Sequence, residues 1–164
     1  MVEPVSVLRW IHELAAITWF GEVFVVTHIL VPTLGRLPDS PKGLVMLRLY
    51  PRIFRMATIS SSTTIIAGAT LALLEARFDY SYFLTTFRGQ LILVGGLIGL
   101  FMFLLHITVE RVEMKALSRV RIEPQEGLPE ELRVLDRRLR VLPRFGFTLL
   151  TIVLGLMIYV SHGI

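Results

Sequence analysis

The chain has 164 residues, 54% of them hydrophobic and only 18% charged, with no cysteine and a formal net charge of +4. Its apolar residues are gathered into long runs, the profile of a small polytopic membrane protein with no soluble domain left over. The lack of cysteine excludes disulfides, thiolate metal sites and iron-sulfur clusters, leaving His, Glu and Met as the ligand supply.

A spanning helix needs about 20 predominantly apolar residues, and four segments qualify, at about residues 5–34, 52–76, 88–112 and 143–162. The first carries no small-residue cleavage site and exceeds a signal-peptide core in length, so it is expected to remain as a span. After it, "LPDSPKGLVMLRLYPRIFR" opens with turn residues and an N-cap candidate at Asp39 or Ser40. It reads as an interfacial helix that Pro51 breaks or kinks before the second span. Between the second and third spans, "DYSYFLTTF" clusters aromatic residues as an interfacial belt does. The connection Glu110 to Arg144 extends the third helix, turns between Pro124 and Pro129, and returns as a charged helix. Its mixed charges are expected to form a solvated face, with anionic lipid as a lesser alternative.

Five Lys/Arg lie in Gly35 to Ala57 and nine in Glu110 to Arg144, whereas Arg9, Arg77 and Arg88 are the three basic residues elsewhere. This asymmetry speaks for membrane orientation rather than nucleic-acid binding. The expected fold class is therefore all-α: an integral four-helix bundle in the cell membrane, a single domain over residues 1–164, with both termini outside. A cytoplasmic helical extension joins helices three and four.

All four histidines fall in or at the ends of spans. By depth, His28 matches His106 on the inner side and His12 matches His162 on the outer side. Two imidazoles from facing helices at one depth can supply both axial ligands of a haem iron. Gly21, Gly99 and Gly155 each precede a histidine by seven residues, two helical turns or about 10 Å along the same face. There a missing side chain leaves room for a porphyrin plane, and Gly95 joins that stripe. The same small residues also let membrane helices pack closely, and a lone intramembrane His also serves as a cross-helix hydrogen bond. His12 and His28 are sixteen residues apart, which in a straight helix separates them by about 24 Å and rotates them by roughly 160°. Both point into the bundle only if the helix is kinked or one site lies at a subunit interface. Glu22 sits near the middle of the first span, where a lone carboxylate costs several kcal/mol. It reads as a proton carrier, a partner for an imidazole, or a protonated group bonded to the "TISSSTT" stretch of the second helix.

The segment "WIHELAAITWFGEVFVVTHILVP", with His12, Ala15, Ala16, Trp19 and Gly21, resembles the first helix of the CopD-type membrane domain, a family that includes relatives of HemJ-type protoporphyrinogen oxidase. The second helix, "PRIFRMATISSSTTIIAGATLALL", and the third-helix entry, "TTFRGQLIL", are similar to the corresponding parts of that family. The resemblance implies a four-helix unit that in some relatives binds haem b through the first-helix histidine, here His12. HemJ-like proteins use a Lys near the start of the third helix, where this chain has Arg88, Gly89 and Gln90.

The expected function is that of a haem b protein passing electrons in the membrane, with one or two haems under bis-His ligation. The metal ligands are His28 and His106, with His12 and His162 as the second pair. Gly21, Gly99, Gly155 and Trp19 line the cofactor. Expected partners are membrane lipid, a second copy or a redox subunit, and a quinol. The alternatives are HemJ-like porphyrinogen oxidation with Glu22 accepting the proton, CopD-like copper transport, and a purely structural subunit.

Overall fold

The computed structural model describes residues 3–118 and 128–162, the side chains of Ala116 and His162 excepted. The described residues form four long helices and no strand: α1 (Pro4–Leu34), α2 (Asp39–Glu75), α3 (Phe87–Leu117) and α4 (Glu130–His162). Each contains a stretch long and apolar enough to cross a membrane. Neighbours pack in a ring, α1 on α2, α2 on α3, α3 on α4 and α4 on α1. One end holds the N-terminus and the α2–α3 loop; the other holds the basic segments and is here the basic end.

Pro4 opens α1 within its first turn, where its missing N–H costs nothing. Residues Val26–Leu30 of the same helix form a wide π turn, in which the Val31 N–H bonds the Val26 carbonyl five residues back. Pro32 explains it: the residue has no N–H to give the carbonyl of His28 four places earlier, and its ring would collide there in a regular α turn.

Pro51, expected to break or kink the helix, does not break it. Asp39 to Glu75 is one continuous helix with Pro38 as its cap, so the interfacial helix and the second span are a single element. Met46, Tyr50 and Phe54, buried on the turns either side of Pro51, supply packing that outweighs the lost hydrogen bond. The charged helix after Pro129 is likewise continuous with the fourth span, through Pro143. The turn expected between Pro124 and Pro129 falls largely on residues 119–127, outside the described residues.

Helix α2 closes through Arg77 and Phe78, both at positive φ (51° and 62°), a conformation usually reserved for glycine. Thr86 then caps α3 by accepting the Gly89 N–H at 3.0 Å. At Gly89 a Cβ would lie 2.2 Å from the Tyr82 carbonyl oxygen, so only glycine permits that approach.

The larger apolar core lies toward the basic end, around Met46, Tyr50, Leu132 and Leu135, and a smaller one gathers Trp19, Met102 and Leu150. Elsewhere the apolar side chains face outward: Ile17, Ile59, Ile66, Leu97 and Leu104 are each more than half exposed. An outward apolar face of this extent is what a hydrocarbon solvent requires. The charges at the basic end are less solvated than expected. Lys42, 6% exposed, pairs with Asp136 at 2.7 Å, and Glu113, 2% exposed, pairs with Arg138 at 2.5 Å, tying α2 and α3 to α4.

Candidate functional site

The polar groups inside the ring converge on one helix. From the "TISSSTT" stretch onward, α2 offers Thr58, Ser60, Thr64 and Gly68, and each of them meets an ionisable residue of α1 or α3.

On the α3 side, His106 Nε2 lies 2.9 Å from the Thr58 hydroxyl, and that hydroxyl donates to Glu110 Oε2. A hydroxyl has one proton to give. With it directed at Glu110, Thr58 accepts from His106, so the imidazole carries its proton on Nε2 toward α2. Glu110 also stands 3.7 Å from His106 one turn along the same helix. Phe54 lies beside the imidazole, with ring centres 6.2 Å apart.

On the α1 side, Ser60 donates to Glu22 Oε2 at 2.8 Å. The other carboxyl oxygen, Oε1, is buried and has no hydrogen bond among the described residues. Toward the N-terminus of α1, His12 Nδ1 lies 2.9 Å from the Thr64 carbonyl. A carbonyl only accepts, so Nδ1 bears the hydrogen and Nε2 of the neutral ring keeps its lone pair. Gly68 makes the seat for this ring: a Cβ there would lie 2.7 Å from His12 Cε1.

His28 has a different setting. Its Nδ1 lies 3.2 Å from the carbonyl of Phe24 in its own helix, and its ring stacks on Phe24 and meets Phe147 of α4 edge-on, both at 4.7 Å. It borders a groove of about 380 Å³ lined also by Thr27, Pro32, Arg144, Phe147 and Thr148.

The structure therefore does not join His28 to His106. His28 turns to α4 and His106 to α2, and no hydrogen bond or ring contact links them. Matching depths along two helices carries no information about rotation, and the pairing was drawn from depth alone. α1 is distorted next to His28, as a shared inward face with His12 required, yet the distortion delivers His28 to the α4 side. For the outer pair, the side chain of His162 lies outside the described residues. Of the glycines, Gly21 and Gly155 face open space, and at Gly99 a Cβ would come no nearer than 3.4 Å, to Ile65. Gly95 instead holds the end of Met157, which would lie 2.4 Å from a Cβ, so it serves helix packing. Trp19 is 3% exposed and sits in the smaller core. No cluster of three or more His, Asp or Glu residues that could hold a metal ion occurs among the described residues.

Thr58, Thr64, Gly68 and Glu110 escaped the sequence reading. Glu110 stands four residues after His106, the spacing of helix neighbours, but in the sequence it only opens the charged connection. Nothing in the sequence marks the Thr64 carbonyl, which is backbone.

No protein-family model matches the chain, and neither does a curated protein or a solved structure.

Proposed function

We propose that the chain is a multi-pass membrane protein that holds haem b and passes electrons, with His12 as the iron ligand. The observation that supports this most directly is the tautomer of His12. The Thr64 carbonyl takes the Nδ1 hydrogen and leaves Nε2 as a lone-pair donor, the form in which an imidazole binds iron. That bond also fixes the ring orientation, and Gly68 leaves space for it. The residues fit the group to this extent, and His12 would hold it together with His162, at the same end of the bundle, or with a histidine from a second copy. Haem supplies a reversible one-electron couple, and the protein's part is to fix the donor nitrogen.

In this reading the basic end is cytoplasmic and both termini face out, because fourteen of the seventeen Lys/Arg belong to the basic segments. The test is a visible spectrum of protein expressed with ample haem, followed by His12→Ala. A Soret band lost in that variant and restored by added imidazole supports the reading. A haem-free wild type overturns it.

One observation favours a second reading. The buried Oε1 of Glu22, without a hydrogen bond among the described residues, suits a proton acceptor for HemJ-like porphyrinogen oxidation. Under it, Glu22→Gln abolishes porphyrinogen consumption while leaving the visible spectrum unchanged. Unaltered consumption in that variant rejects Glu22 as the acceptor. The copper-transport alternative gains no such support.

A further inference from the structure

The wide turn of α1 contains an anomaly. Thr18, Thr33, Thr70, Thr108, Thr148 and Thr151 each donate their hydroxyl to the carbonyl four residues back, the usual resting place of a helical threonine. Thr27 does not. It is 7% exposed, its Oγ1 has no hydrogen bond among the described residues, and it lines the groove beside His28. Buried hydroxyls without partners are uncommon, and π turns occur disproportionately at functional sites.

The groove has a definite donor and acceptor inventory. Arg144 brings donors only and makes no ion pair among the described residues. Thr27 brings one free donor. Thr148 has committed its proton to the Arg144 carbonyl and brings acceptor capacity. His28 has committed its Nδ1 hydrogen to the Phe24 carbonyl, so Nε2 of the neutral ring accepts. Phe147 also lines the groove and supplies apolar surface. Phe24, which stacks on His28, and Ile29 and Phe145, next in sequence to His28 and Arg144, are exposed, so the residues flanking the groove present apolar surface. Its size falls within the range of about 300–1,000 Å³ typical of small-molecule pockets.

An occupant that comes from the apolar surroundings of the bundle is lipid-soluble. It must carry an oxygen that accepts from Arg144 and Thr27 and an O–H that donates to His28 Nε2. The phosphodiester group itself only accepts, so a lipid held by its phosphate alone leaves Nε2 unmatched. A hydroquinone meets all of these conditions with its two ring oxygens. We infer that this groove at the π turn of α1, lined by Thr27, His28 and Arg144, binds the ring head of a membrane quinol. The inference rests on the electron-transfer reading, since it names the class of electron donor for the haem protein, but its site is separate from His12.

Equilibrium binding of decylubiquinol, kept reduced under anaerobic conditions, to the detergent-purified full chain tests it. Wild type is expected to bind saturably. Thr27→Val is expected to weaken binding about tenfold, the loss of one hydrogen bond, while its melting temperature is unchanged or raised, because an orphan hydroxyl has been replaced by a methyl group of the same shape. Thr27→Ser is expected to bind as wild type does, and His28→Ala and Arg144→Gln to bind weakly. Absent binding, or binding that Thr27→Val and His28→Ala leave unaltered, overturns the inference. So does tight retention of phosphatidylglycerol that is lost in Arg144→Gln and that decylubiquinol does not displace. A Soret band without quinol binding rejects this site alone, whereas quinol binding without a Soret band rejects the haem reading alone.

Discussion

His12 and His28 lie on the same helix and both give their Nδ1 hydrogen to a backbone carbonyl, yet the two bonds differ in kind. The Thr64 carbonyl belongs to α2, so His12 joins two helices; the Phe24 carbonyl belongs to the same turn as His28, so that bond joins nothing. A cross-helix bond fixes the ring relative to the bundle. A bond within one turn fixes it only relative to its own backbone. The first histidine is therefore placed as a rigid ligand should be, while the second, exposed beside a groove, is free to meet a molecule from outside.

That contrast can be broken by substitution. The largest effect is expected at Gly68→Val. A Cβ there already collides with His12, and the added bulk should displace the ring, cost about 1–3 kcal/mol in unfolding measurements in detergent, and remove the Soret band. Thr58→Val should follow. It deletes the hydroxyl between His106 and Glu110, leaving both without that partner, at about 1–2 kcal/mol in the same measurement, with Thr58→Ser restoring most of it. His12→Ala should cost about 0.6–1.7 kcal/mol, the range of cross-helix hydrogen bonds in membrane proteins, beyond its effect on the spectrum. His28→Ala should change stability by no more than about 0.5 kcal/mol and leave the spectrum intact. Gly21→Ala should be neutral in thermal unfolding, since nothing lies within 4 Å of the added atom. A Gly68 variant as mild as the Gly21 variant would remove the distinction between the two halves of α1.

The four apolar runs and the gathering of basic residues at one end were legible in the sequence, because both are properties of composition along the chain. Proline was misleading at Pro51. Local propensity argues for a break or kink there, but the packing of Met46, Tyr50 and Phe54 carries one helix through without a break. Depth was also legible, and Glu22 duly meets the hydroxyl-rich part of α2 through Ser60. Facing was not. Whether His28 turns to α3 or to α4 depends on helix rotation, and the π turn at Val26–Leu30 resets that rotation in a way that only the position of Pro32 hints at. The seat of His12 was hidden for another reason: it consists of a backbone carbonyl and a missing side chain, neither of which announces itself as chemistry.

The most direct test of the central claim is the difference spectrum, dithionite-reduced minus oxidised, of the purified chain and its two histidine variants. Haem b bands in wild type and in His28→Ala, absent from His12→Ala, are the predicted result. Bands that survive in His12→Ala and vanish in His28→Ala, or no bands in wild type, would contradict it.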